Sequence, residues 1–299
     1  MEVIYGIHKI KKYPKPVVAL GVFDGVHLGH RKILKSAVRN ARREHGTSIV
    51  FTFWPHPQKE GSLYSLEHRL KLISELGIDV CVIIRFNKKL ARVSANDFIR
   101  NVLFKKLGAS YIFVGRNFKF GKKAQGDGNT LQKASVEYHF KVRVFPVVRI
   151  NGAPVSSTYI RTQIKKGNLK AAQRLLNRPV SILGTVVRGI SLGRKFGIPT
   201  ANIDPHHEVI PPKGVYAVKV NFRNKKFEGA CYIGPKPAFL KHQTTTSIEV
   251  HILNFNRNIY GRTLEVQFIR KIRSPRKFSS PAALAAQIKK DILESSKTS

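Results

Sequence analysis

Apolar positions follow two patterns along the chain, and the change between them lies near residue 178. In the first part, short apolar runs alternate with stretches whose apolar residues recur every three or four positions. The runs span residues 17–20, 48–53, 79–86, 111–114 and 142–148. They are too short for helices and rich in β-branched residues, which predicts strands buried on both faces. Between them, Leu28, Ile33, Leu34, Ala37, Val38 and Ala41 form one helical stripe. Leu66, Leu70, Ile73 and Leu76 form a second, and Phe98, Ile99, Val102, Leu103 and Leu107 a third. Gly46, Gly77 and Gly108 stand where those helices should stop, and Ser94 with Asp97 where the third should start. Strands alternating with helices predict a doubly wound parallel sheet.

After Asn177-Arg178-Pro179 the rhythm shortens. SILGTVVRG, GVYAVKVNF, FEGACYIG, SIEVHILNF and TLEVQFIRKI read as strands separated by turns, and residues 281–293 as a helix with Leu284, Ile288 and Ile292 on one face. In SIEVHIL, Ile248, Val250 and Ile252 alternate with Ser247, Glu249 and His251. This part predicts a small antiparallel β-barrel with a terminal helix. The expected fold is therefore α/β plus β, with domains at 1–178 and 179–299.

A length of 299 residues suits two domains. No apolar run approaches the ~20 residues of a membrane span, and the first residues lack a continuous apolar segment of the secretory kind. Cys81 and Cys231 are the only cysteines and show no metal-binding spacing, which fits a reducing cytoplasm. Net charge is +37, with 34 Lys/Arg against 10 Asp/Glu before residue 179 and 20 against 7 after it. Such charge favours anionic partners. No nucleic-acid-binding motif accompanies it, so a basic proteome or phosphorylated substrates serve equally, and nucleic acid is not the expected partner.

The most chemically loaded stretch is GVFDGVHLGH, residues 21–30. A strand, a glycine-rich turn and a helix start point backbone N–H groups at one spot, a natural seat for phosphate. Gly21, Phe23, Asp24, Gly25 and Gly29 of that turn are candidate ATP-phosphate-binding residues, and His27 and His30 can donate to phosphate oxygens. The stretch resembles the H-x-G-H signature of the nucleotidyltransferase superfamily. Two further loops belong beside it in such a sheet. One is GRNFKFG with Asn117, Phe118 and Gly121, running on to Asp127; its spacing is not that of a Walker A loop. The other is VSSTYIR, where Ser156, Ser157 and Thr158 start a helix carrying Arg161, Ile164, Leu169, Leu175 and Leu176. Ordinary capping explains the hydroxyls but not the arginine. In the second half, GISLGRKFGIPTAN is a glycine-rich loop leading to Thr200 and Asn202. Glu249 is either a surface strand glutamate with a lysine partner or a proton acceptor.

Taken in order, GVFDGVHLGH, TFWPHP, VGRNFKFG, SSTYIR, GRKFGIPTAN, IEVHILNF and KFSSPAALAAQIKKDI resemble the bacterial bifunctional FAD synthetases along the whole chain. The resemblance implies riboflavin kinase and FMN adenylyltransferase activities using ATP and Mg²⁺. His27, His30 and Arg161, with Ser156, Ser157 and Thr158, would bind ATP phosphates. His56, Asn117, Phe118, Gly121 and Asp127 would lie near FMN. Gly193 and Arg194 would serve the kinase ATP, Thr200 and Asn202 would hold Mg²⁺ and phosphates, and Glu249 would be the general base. The sequence departs from the family at Tyr232, Ala238 and Pro275, near the expected flavin site. Two alternatives stand beside this reading: an adenylyltransferase with an inactive flavin-binding second domain, and a cationic RNA-binding protein.

Overall fold

The computed structural model describes residues 1–55, 62–189, 197–235 and 246–297. The chain forms two compact units, one of Met1–Ser62 with Leu66–Tyr159, the other of Leu63–Ser65 with Ile160–Ser299.

The first unit is built on a six-stranded sheet whose pairings are all parallel. Its strands are β1 (Glu2–Tyr5), β2 (Val17–Leu20), β3 (Ser48–Trp54), β4 (Val80–Arg85), β5 (Tyr111–Gly115) and β6 (Lys141–Phe145), in the order β1-β4-β3-β2-β5-β6. All four β2 residues are buried, as a central strand covered on both faces requires. From β2 the chain passes through α1 (Leu28–Arg43) to β3 on one side, and later returns to place β5 on the other. The strand order therefore reverses at β2, and the crevice beyond its carboxyl end is where such sheets take ligands. Helices α2 (Leu66–Ser74), α3 (Ala95–Phe98) and α4 (Gly128–Tyr138) complete the unit.

Four details depart from the apolar pattern. The α2 face turned inward is His68, Arg69, Leu72 and Ile73, while Leu66, Leu70 and Leu76 are half-buried. Arg69 decides this, because its guanidinium reaches backbone carbonyls at the strand ends. Helix α3 runs on as a π-helix over Ile99–Lys106. Strand β6 stops at Phe145, short of Val148. There Asn151 (φ 48°) and Gly152 (φ 78°) turn a hairpin between β7 (Arg149–Ile150) and β8 (Ala153–Pro154). Two residues with positive φ make the tight turn that matches strand twist, and that turn overrides the apolar run. Finally, β1 and α4 carry little apolar signal: Ile4 alone is buried in β1, and only Gly128 and Leu131 in α4.

The second unit contains most of α5 (Ser157–Lys165), α6 (Leu169–Leu176) and a closed antiparallel barrel. The strands are β9 (Val180–Val187), β10 (Ala201–Asp204), β11 (Gly214–Phe222), β12 (Lys225–Pro235), β13 (Thr246–Ile252) and β14 (Thr263–Arg273). They close in the order β10-β13-β12-β11-β14-β9. Ile248, Val250 and Ile252 of β13 are 0–5% exposed, with Glu249 and His251 half-buried on the opposite face.

Helix α7 (Pro281–Ser296) begins with Ser280 accepting from the Ala283 N–H and with Pro281 in its first turn. Leu284, Ile288 and Ile292 are only half-buried, so apolar contact alone does not fasten it. Asp291, 4% exposed, accepts from Arg273 Nε at 2.9 and 3.1 Å and from Nη2 at 2.7 Å, and from Gln287 at 2.8 Å. Removing one partner of such a pair strands a buried charge. Asp291→Ala is expected to destabilise this unit by about 3–5 kcal/mol, seen as a lower unfolding midpoint; an unchanged midpoint would show that the pair does not hold the helix.

Candidate active sites

The turn of residues 21–30 is strained in a specific way. Phe23 (φ 53°) and Val26 (φ 39°) are left-handed, as is Gly25 (φ 78°). For a β-branched residue this is an outlier costing roughly 1–3 kcal/mol, and such strain collects at functional sites. It folds the chain so that His27 caps α1, its Nδ1 accepting from the His30 N–H at 3.4 Å. That bond puts the His27 ring proton on Nε2, a donor of the kind a phosphate oxygen takes. The two imidazoles stack with centroids 3.6 Å apart, and Phe23 meets His30 edge-on at 5.3 Å. Ser157 Oγ donates to the Asp24 carbonyl at 2.8 Å, which joins the start of α5 to the turn. Ser156 does the capping there, accepting from the Tyr159 N–H at 3.2 Å. Thr158 is exposed, and Arg161 is buried in α5. Gly21, Phe23, Asp24, Gly25, His27, Gly29, His30 and Ser157 thus form one cluster.

The register Leu20↔Phe51 and Leu20↔Val114 sets the ends of β3 and β5 beside this turn. Asn117, two residues beyond β5, is exposed, and Phe118 stacks on Phe120 at 5.7 Å against the core. Gly121 (φ 74°) has structural work, since a Cβ there would press on the Ala95 backbone. Asp127 caps α4 in a reciprocal box with Thr130 and pairs with Lys119 at 3.0 Å. The Thr130 N–H, then Lys119, hold its carboxyl down at about 2.

In the barrel, register aligns Asn202, Glu249 and Tyr232 across β10, β13 and β12. Ser247 Oγ donates to Glu249 Oε1 at 3.1 Å. A Cβ on Gly189 would collide with the Asn202 amide, so that glycine fits Asn202 into place. His251 Nδ1 lies 2.8 Å from the Pro199 carbonyl, linking β13 to the segment that enters Thr200. Thr200 lines a cleft of about 310 Å³ with Val186, Ala201, Phe255, Asn256 and Tyr260. The sequence reading missed the last three; the signal was an aromatic-and-asparagine run directly after an alternating strand. Tyr232 OH donates to the Pro235 carbonyl at 3.3 Å, and burial, then Glu249, raises its phenol. Pro275 is exposed between Arg273 and Arg276, whose guanidiniums lie 5.6 and 4.9 Å from the Phe278 ring. His56, Gly193, Arg194 and Ala238 lie outside the described residues.

Among the described residues, no three His, Cys, Asp or Glu side chains come together as a metal site. The Thr200 hydroxyl and Asn202 amide oxygen are hard donors, suited to Mg²⁺ that keeps waters and phosphate oxygens as its other ligands.

Two units, each presenting hydroxyl, amide or imidazole donors suited to phosphate, define a nucleotide-dependent transferase. The FAD synthetase family model matches residues 9–159, and the riboflavin kinase model residues 176–298. A bifunctional riboflavin kinase/FMN adenylyltransferase of Buchnera aphidicola subsp. Schizaphis graminum is 38% identical over 302 residues, covering 98% of this chain and 97% of that one. The enzyme so named in Escherichia coli K12 is 36% identical, covering 98% and 96%. That of Bacillus subtilis 168 is 35% identical, covering 95% and 93%. The chain belongs to the family of bifunctional riboflavin kinases/FMN adenylyltransferases and carries both of its domains. Both domains favour two activities over a lone adenylyltransferase. A crystal structure described as a macrolide-efflux protein from Streptococcus pneumoniae shares the fold, with a TM-score of 0.83 and 29% identity over 97% of each chain. No helix among the described residues is long and apolar enough to cross a membrane.

Proposed function

We propose that the chain phosphorylates riboflavin to FMN with ATP, and then adenylylates FMN with a second ATP to give FAD and pyrophosphate. The row of Asn202, Glu249 and Tyr232, with Thr200 two residues before Asn202, carries the kinase reading. The stacked His27–His30 pair at the switch point supports the adenylyl half. Residues 1–178 are assigned the adenylyltransferase and residues 179–299 the kinase.

In the kinase, the cleft takes the nucleotide and Thr200 and Asn202 face its phosphates. Mg²⁺, bound by those two oxygens, would neutralise phosphate charge. Glu249 Oε2 accepts the proton of the terminal ribityl hydroxyl as that oxygen attacks the γ-phosphorus and ADP leaves. Ser247 holds Oε1 and so orients the carboxylate. In the adenylyltransferase, an FMN phosphate oxygen attacks the α-phosphorus of ATP in line. It is already anionic, so no side chain need activate it. His27, His30, Ser157 and Thr158 position and neutralise the triphosphate as pyrophosphate departs, while the loop of Asn117 and Phe118 faces the flavin nucleotide. A cytoplasmic enzyme with small-molecule substrates fits this chemistry, and the basic surface is given no nucleic-acid role.

Product stoichiometry tests the reading. One ADP should appear per FMN made and one pyrophosphate per FAD. ADP release alongside FAD formation from supplied FMN would contradict it.

A further inference from the structure

Arg69 is a fully buried cation of the first unit: its residue exposure is 0%. Its Nη1 donates to the Val22 carbonyl at 2.5 Å and lies 3.3 Å from Thr52 Oγ1 and 3.4 Å from the Phe53 carbonyl. Thr52 in turn donates to the Val22 carbonyl at 2.8 Å. The Arg69 guanidinium lies 5.2 Å from the Trp54 ring centroid. Nε and Nη2 have no hydrogen-bond partner among the described residues. A desolvated guanidinium with two unpartnered nitrogens is strongly unfavourable in a core. An apolar side chain of the same volume would fill the space without that penalty. What the charge reaches is the ground on which the phosphate turn stands. Val22 immediately precedes the left-handed Phe23, and Phe53 and Trp54 end the neighbouring strand. The carboxylate of Asp24 in that turn also attracts it.

We propose that Arg69 is a positioning residue for adenylyl transfer, its buried charge locking the ends of β2 and β3 so that the strained turn presents His27 and His30 to the triphosphate. This rests on the adenylyltransferase reading of the first unit.

Arg69→Met removes the charge at similar volume, and Arg69→Lys keeps it. Each protein is assayed for FAD formation from FMN, for inhibition of that step by added pyrophosphate, and for riboflavin phosphorylation. Arg69→Met is expected to lose at least about 50-fold in adenylyl kcat/KM and to weaken pyrophosphate inhibition at least about tenfold, with phosphorylation within twofold. Arg69→Lys should retain at least one fifth of the parent kcat/KM. Adenylylation within threefold of parent in Arg69→Met, or a Lys variant as impaired as the Met variant, overturns the proposal. If Arg69→Met does not fold, Arg69→Lys alone decides: a loss within fivefold supports the role of charge, and a greater loss overturns it. Failure of the underlying reading looks different, since the parent protein itself would then form no FAD.

Discussion

Glu249→Gln should lower riboflavin phosphorylation by about 100- to 10,000-fold, the usual worth of a positioned general base. FAD formation from supplied FMN should stay within twofold. The substitution is almost isosteric. The amide oxygen of the new side chain would still accept from Ser247 Oγ, which is 3.1 Å from Glu249 Oε1, and the register to Asn202 and Tyr232 is backbone-determined. What disappears is the oxygen that takes the proton. A purely structural glutamate would instead show a small loss in the kinase together with a lower unfolding midpoint. Kinase turnover unchanged from parent would rule out Glu249 as the base.

His27→Ala and His30→Ala should show the reverse selectivity. Each is expected to slow FAD formation from FMN by about 100- to 1,000-fold, the scale of removing one preorganised donor to a charged transition state. Riboflavin phosphorylation should persist. The rings stack at 3.6 Å, so each holds the other's orientation. The double variant should therefore fall little below either single one, as residues acting as a unit do. Additive losses would mean two independent contacts, and adenylylation within threefold of parent would remove the histidines from the site.

The parallel sheet and the barrel were legible because their burial pattern is written directly in the residues: four consecutive buried positions in β2, and alternation from Ile248 to Ile252 in β13. The His27–His30 turn was legible for a different reason. Glycines beside histidines after a buried strand leave few other geometries. Elements fixed by a few polar contacts were not legible. Helix α4 starts on the Asp127 box and buries a single leucine among its side chains, and β1, paired along β4 at a sheet edge, buries a single isoleucine. Arg69 was hidden because periodicity scores an arginine as outward-facing, whereas backbone carbonyls at the strand ends draw it in. The same limit applies to Asp127 and Gly121. Motif order puts them near FMN; the structure adds a helix cap for Asp127 and a close approach to Ala95 for Gly121, which periodicity does not reveal. Tyr232, a departure from the family's usual pattern, lies opposite Glu249 with its hydroxyl on the Pro235 carbonyl, so it pairs in register with the carboxylate proposed as the kinase base.

The most direct measurement is a chromatographic time course of the purified protein with riboflavin, ATP and Mg²⁺. FMN should rise first and FAD should follow at its expense, which establishes both activities and their order in one chain. FAD formed only when FMN is supplied would contradict a working kinase, and no flavin product from either substrate would contradict the enzyme altogether.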